Sequence, residues 1–191
     1  ELKLKGAYFC TPAESDRLAK VIFLGKQRMN PDRVGQSPEV LAGLAQFSIP
    51  PKTRILISEE AEIGWHRPLS AEKLNPVLAF YVANDENHAL ELANNIAKFE
   101  GWGHSSVVHS DDPKIVAKFA SIPTGRVLVN TPAILGGMGY STDLEPSFML
   151  GTGTWSGSIT SDNVTALHLI NIKRVAYESR PWRDIYEEYG E

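Results

Sequence analysis

The sequence predicts an α/β protein: a mostly parallel sheet flanked by helices, followed by a late strand set aside for self-association. Short apolar runs alternate with amphipathic stretches of helical period, the pattern of parallel strands joined by crossover helices. Residues 131–167 form a long, glycine-punctuated connection with almost no periodicity. Such connections are uncommon inside a compact domain and usually build a binding site, so this segment is expected to line one. Its glycines (Gly136, Gly137, Gly139, Gly151, Gly153 and Gly157) let backbone approach backbone or a ligand where a Cβ would collide.

Each element has a local cause. Glu1-Leu-Lys-Leu-Lys5 reads as the end of an element whose beginning is missing, so the chain is expected to be a piece of a longer polypeptide. Thr11-Pro-Ala-Glu14 is a capping box with proline at the first helical position, opening the apolar series Leu18, Val21, Ile22 and Leu24-Gly25. Ser37-Pro38 opens a second helix through Val40, Leu41 and Leu44, which must end by Ile49-Pro50-Pro51. Arg54-Ile-Leu-Ile-Ser58 and Val77-Leu-Ala-Phe-Tyr-Val82 are buried-strand runs. Residues 84–99 form the best helix, with Ala89, Leu92, Ala93 and Ile96 on one face. Ser105-Ser-Val-Val-His109 is a strand, Asp111-Asp-Pro113 caps a helix through Phe119, and Arg126-Val-Leu-Val-Asn130 is the next strand. In residues 168–177, Ile170 and Ile172 alternate against Asn171 and Lys173. A strand of that kind suits an exposed edge that pairs with a second subunit. Pro181-Trp-Arg-Asp-Ile-Tyr-Glu-Glu-Tyr189 predicts a short terminal helix docking its aromatics.

Composition narrows the functions. At 191 residues the chain can bury one good core, and 42% hydrophobic with 22% charged residues is ordinary for a folded domain. A net charge of −4 argues against a nucleic-acid partner. No apolar run approaches the roughly 18–20 residues of a membrane span. With Cys10 alone there is neither an internal disulfide framework nor a cysteine-based metal site, which reads as a cytoplasmic, reducing compartment.

Several residues carry candidate chemistry. His104, in Gly101-Trp-Gly-His-Ser105, stands at a strand entrance beside glycines, where the plain alternative is a polar turn residue. Glu72 precedes another strand start, and an isolated glutamate is ordinarily solvated surface. His66 and His88 read as surface residues, His109 as a sheet residue and His168 as the start of the last strand, and no spacing among them makes a metal triad. Cys10 lies beside a helix cap in an apolar Ala7-Tyr8-Phe9 context and reads as a structural thiol, not a nucleophile. Asp111-Asp112 and the acids at 143–145 read as cap and turn residues, and Arg174, Arg180 and Arg183 as a solvated or interfacial basic cluster.

A series of segments, in order, resembles one family. They are Val34-Gly-Gln36, Leu69-Ser-Ala-Glu-Lys-Leu-Asn-Pro-Val-Leu-Ala-Phe-Tyr81, Gly103-His-Ser105, Val127-Leu-Val-Asn-Thr-Pro132 with Gly136-Gly137, Gly151-Thr-Gly-Thr-Trp-Ser-Gly157, Ser161-Asp-Asn-Val164 and His168-Leu-Ile-Asn-Ile-Lys-Arg-Val-Ala176. Each is weak alone, but the ordered set is specific and covers nearly the whole chain. It is similar to the CoA-acylating branch of the aldehyde dehydrogenase superfamily, which includes acetaldehyde and propionaldehyde enzymes and the dehydrogenase half of bifunctional aldehyde/alcohol dehydrogenases.

The resemblance implies a catalytic-domain fold of that superfamily, with residues 1–165 as part of the catalytic domain and 166–191 as an oligomerisation strand and terminal helix. It implies an enzyme in which a cysteine thiolate attacks a small aldehyde, hydride passes to NAD(P), and the thiol of CoA opens the resulting thioester. The nucleophilic cysteine would lie upstream of the segment matching Gly6-Ala-Tyr8, so this chain would carry part of the site and be inactive alone. By the same resemblance Glu72 binds the nicotinamide ribose hydroxyls, Leu74 and Leu150 wall the nicotinamide and the hydride path, and His104 lies near the nucleophile and assists deprotonation of a thiol. Residues 151–157 would form part of the floor. Thr152 stands where many relatives have cysteine, and Ser156 and Ser158 also depart from the pattern, so acetaldehyde is not implied as the substrate. A bacterial microcompartment is the alternative location. The alternative functions are a hydrolytic relative and a non-catalytic oligomerisation module. An acyl-phosphate-type reductase is disfavoured by the Gly-His-Ser and Gly-Thr-Gly-Thr-Trp segments.

Overall fold

A computed structural model describes residues 1–25 and 28–190. A single 3-10 turn, Leu2–Lys5, leads through Gly6 into strand β1 (Ala7–Phe9). Helix α1 (Pro12–Ile22) starts as its capping box dictates. The Thr11 side chain accepts from the Glu14 backbone at 3.3 Å, and the Glu14 carboxylate accepts from the Thr11 backbone at 2.8 Å. The helix stops at Ile22, short of the expected Leu24-Gly25, because Phe23 turns extended and Phe23–Leu24 (β2) pairs antiparallel with Arg28–Met29 (β3). Helix α2 (Pro38–Leu44) is capped by Ser37.

Strand β4 (Ile55–Glu59) lies between β1 and β5 (Val77–Phe80) in a three-stranded, all-parallel sheet. Its register sets Tyr8 beside Leu56 and Leu56 beside Val77. Leu18 and Ile22 of α1, Leu41 of α2 and Leu56 of β4 are fully removed from solvent in one cluster. Each such side chain contributes on the order of 1.5–3 kcal/mol of burial. Helix and strand thus fix the floor from which the loop after β4 rises.

Helix α3 (Glu86–Ile96) is capped by Asp85 and runs on into a π-helical turn, Ala97–Gly101. Its expected apolar face is only partly covered: Leu92, Ala93 and Ile96 are half-buried and Ala89 is exposed. Trp65 joins the two regions, making edge-on contacts with Phe23 at 6.1 Å and with Phe99 of the π turn at 5.2 Å. Strand β6 (Gly103–Val108) pairs parallel with β7 (Thr124–Val129) through the crossover helix α4 (Pro113–Phe119), which Asp112 caps. A short helix α5 (Ala133–Gly137) packs on this pair, and α6 (Trp182–Tyr189) ends the chain. The α/β class with parallel strands and flanking helices is therefore as the alternation implies.

The run expected to pair with a second subunit forms no strand within this chain among the described residues. Ala166–Leu169 is a 3-10 turn in which Thr165 and His168 cap one another, and the residues after it join no ladder among those described. A strand needs a partner to satisfy its backbone, and among the described residues no other strand reaches it. The terminal helix forms, but Trp182, Tyr186 and Tyr189 face solvent instead of docking. No helix is long and apolar enough to cross a membrane among the described residues.

Candidate functional site

Glu72 sits on the turn that leads into β5, just past the 3-10 turn Pro68–Ser70. Its neighbour Lys73 folds back beneath that turn, donating its ammonium to the Leu69 and Ala71 carbonyls, the latter at 2.8 Å. Burial lowers the Lys73 pKa to about 8, against the pull of Glu60, Glu100 and Glu72, which favour its charge. The Glu72 backbone N–H donates to the Glu100 carboxylate at 2.8 Å, which ties this turn to the π turn after α3.

His104 follows the same π turn as the second residue of β6, and it is exposed. Its predecessor Gly103 has φ +75 and lies so close to the glycine segment that a Cβ there would be 1.8 Å from the Thr152 carbonyl oxygen. Only glycine fits. Trp102 meets Trp155 edge-on at 5.5 Å, a second contact between the same two segments.

A hollow of about 380 Å³ opens between these pieces, lined by Ser70, Glu72, Lys73, Tyr81, Glu100 and His104 among others. Burial pushes the Tyr81 phenol up to about 12, with Glu60 adding to the rise and a hydrogen bond with Ser70 opposing it. Its polar lining is thus a carboxylate pair, an ammonium, an imidazole and a phenol, set among the apolar side chains of Val77, Leu78 and Ile96. It can accept hydrogen bonds from a polyol and hold or pass a proton.

Of the four residues singled out by sequence, the structure brings Glu72 and His104 into this hollow and leaves Leu74 and Leu150 outside it. Leu74 is exposed, with its carbonyl accepting from Gly35, so two separate motif segments meet there. Leu150 is half-buried, bridges to Asn163 and points a methyl at Gly137. The glycine segment, expected to line a site, does not line this hollow; it closes on β6 at Gly103. The reason is visible in Arg126 of β7, whose buried guanidinium donates to Asn163 and to the Gly151 and Ser161 carbonyls, folding the segment onto the sheet.

Sequence reasoning missed Lys73, Tyr81 and Glu100 as lining residues. Lys73 and Tyr81 lie inside the Leu69–Tyr81 motif and were within reach of it. Glu100 carried no signal, because a π turn breaks the helical period that would have oriented it. Cys10 is half-buried, and burial with the neighbouring Glu14 charge pushes its thiol up to about 12, as suits a structural residue. His66 pairs with Glu62 at 3.3 Å on the surface, and His88 accepts from the Asn84 backbone. Among the described residues no group of three His, Cys, Asp or Glu side chains could hold a metal.

No protein-family model matches the chain. Sequence and fold similarity nevertheless converge on one class of protein, the aldehyde dehydrogenases. The chain is 40% identical over 182 residues to the aldehyde-alcohol dehydrogenase of Clostridium acetobutylicum, a match covering 92% of this chain and 21% of that protein. It superposes on the acetylating aldehyde dehydrogenase of Geobacillus thermoglucosidasius with a TM-score of 0.88 at 40% identity, over 94% of this chain and 40% of that one. The probable aldehyde dehydrogenase of Listeria monocytogenes gives 0.89 at 42% identity, over 96% and 41%. The relatives it matches by sequence and by fold are acylating aldehyde dehydrogenases, the family its ordered motifs resemble. The chain spans about a fifth of the length of that curated relative and about two fifths of the two solved chains.

Proposed function

We infer that this chain is part of an enzyme that oxidises a small aldehyde with NAD(P)+ and CoA, giving an acyl-CoA and NAD(P)H. The attacking cysteine is supplied by sequence outside the chain. The observation that carries the reading is the shared hollow of Glu72 and His104, two residues 32 positions apart that the family resemblance assigns to one reaction centre.

The residues present suit such a cofactor. Glu72 offers a solvent-facing carboxylate on a backbone held by Glu100, able to accept from two neighbouring ribose hydroxyls. When bound, NAD(P)+ supplies the acceptor for the hydride. His104, exposed at the hollow's rim, is placed to take a proton from a thiol, and the thiolate is the form that attacks. By the family resemblance Leu74 and Leu150 would wall the nicotinamide; both lie outside the hollow, so that wall would be completed by residues from outside the chain. Self-association through residues 166–191 is part of the same proposal, supported by the apolar surface they expose. The cytoplasm, or a bacterial microcompartment within it, is the compartment in which a chain of this composition would work.

The test is NADH formation by the full polypeptide with an aldehyde, with and without CoA. Product in the presence of CoA and little without it is expected. Equal product in both would reassign the protein to the hydrolytic aldehyde dehydrogenases.

A further inference from the structure

We propose that Glu100 is a positioning residue for Glu72: its carboxylate fixes the backbone from which the cofactor-binding carboxylate projects. The proposal rests on the reading of Glu72 given above and extends it to a residue that nothing in the motif series marks.

Glu100 is 28 positions from Glu72, yet its Oε2 accepts the Glu72 N–H at 2.8 Å. A glutamate on a solvated turn has no reason to reach across to another segment, because water satisfies it at lower entropic cost. The turn that carries it is not free to drift. Ala97 is buried and Phe99 is held against Trp65, so the π turn is a fixed platform. Within it Glu100 leaves helical geometry, at φ −148 and ψ 15, and lines the hollow. π-helical turns of this kind are frequent at functional sites.

The carbonyl of the same peptide unit is held as well. Lys73 draws in the Leu69 and Ala71 carbonyls. With the N–H and the C=O of the Ala71–Glu72 peptide both engaged, the backbone entering Glu72 is fixed. Two carboxylates crowded at one turn would repel, and the nearby Lys73 ammonium offsets that. The arrangement orders a carboxylate before its ligand arrives, which lowers the entropic penalty of aligning the nicotinamide.

The test uses the full polypeptide carrying Glu100→Ala or Glu100→Gln. Glu100 is exposed, so neither change empties the core. Glutamine keeps an oxygen that can accept the same bond, and alanine removes it. Pre-steady-state NAD(P)H formation with ordinary and deuterated aldehyde is followed, together with hydrogen exchange at the Glu72 amide. Glu100→Ala is expected to slow the hydride step about tenfold, with a larger isotope effect and a raised KM for NAD(P)+. It is also expected to speed exchange at Glu72, while Glu100→Gln stays within about twofold of the unaltered protein on every readout. An unchanged hydride step in Glu100→Ala, or equal damage from both substitutions, overturns the proposal alone. An unaltered protein that turns over no aldehyde overturns it together with the functional reading beneath it.

Discussion

Arg126 Nε donates to Asn163 Oδ1 at 2.9 Å, and that bond joins the last inner strand to the far end of the glycine segment. Asn163 in turn donates to the Gly137 and Glu145 carbonyls at 2.8 and 2.6 Å, so two buried side chains hold four stretches of otherwise irregular backbone. The guanidinium remains charged in this setting, and the carbonyls it serves have no other use for their lone pairs once buried.

Arg126→Met is therefore expected to destabilise the protein by about 3 kcal/mol, since it leaves several acceptors without donors. Asn163→Asp is the sharper variant. It adds an ion pair with Arg126 but turns an oxygen toward the Gly137 and Glu145 carbonyls, and a loss of about 2 kcal/mol is expected despite the gained charge. Urea unfolding of both variants checks this. A stabilised Asn163→Asp would mean that the ion pair outweighs the amide donors.

The glycines of this region divide by what surrounds them. Alanine at 103 would need both a left-handed backbone and a Cβ 1.8 Å from the Thr152 oxygen. Alanine at 157, with φ +79, would meet nothing within 4 Å and would pay only the left-handed strain of about 1–2 kcal/mol. Thermal melts are expected to place Gly103→Ala far below Gly157→Ala, and Gly103→Ala is expected to lose activity because it displaces His104. Similar melts for the two would show that the close approach to Thr152 yields easily.

Much of the scaffold was legible because its causes are local. Thr11 with Glu14, Ser37 with Pro38 and Asp112 with Pro113 each terminate a helix through atoms a few residues apart, so the sequence carries the whole instruction. Glu72 and His104 were found through the family resemblance, since nothing local distinguishes either from a surface residue. Glu100 and Arg126 act over 28 and 37 positions, and no periodicity encodes that reach. The glycine segment was recognised by density alone, which shows that backbones approach but not which ones. The approach to Gly103 could be seen only in three dimensions.

Lys73 makes stability depend on pH in a stated direction. In the unfolded chain a lysine keeps its proton to about 10.5, whereas in the fold burial brings the value to about 8. Between those values the unfolded state binds more protons, so this residue's contribution to stability rises with pH across that window. Relative to Lys73→Met, the denaturation midpoint of the unaltered protein is expected to climb as pH goes from 8 toward 10. A constant difference between the two would show that the ammonium is not desolvated.

Cys10 is expected to resist alkylation. With its thiol held near 12, little thiolate exists at neutral pH. Iodoacetamide labelling followed by peptide mass analysis is expected to leave Cys10 largely unmodified in the folded protein, and Cys10→Ala to leave turnover within about twofold. Rapid labelling at Cys10 would return it to the list of candidate nucleophiles.

Residues 170–178 lie along the surface with Ile170 and Ile172 more than half exposed, Val175 three-quarters exposed, and no ladder to join within the described chain. An extended stretch combining unpaired backbone with exposed branched side chains is the kind of edge that another chain completes. The aromatics of α6 add Trp182 and Tyr186 to the same uncovered surface. A second copy would supply the missing partner strand, and pairing would satisfy backbone groups and bury the isoleucines together. Removing everything after residue 165 from the full polypeptide is therefore expected to reduce its mass in sedimentation to that of a smaller species. Ile172→Asp, which sets a charge against the apolar partner, is expected to weaken association without unfolding the domain, since the residue contributes nothing to the core described here. Unchanged mass in both variants would assign this arm to the missing part of its own chain.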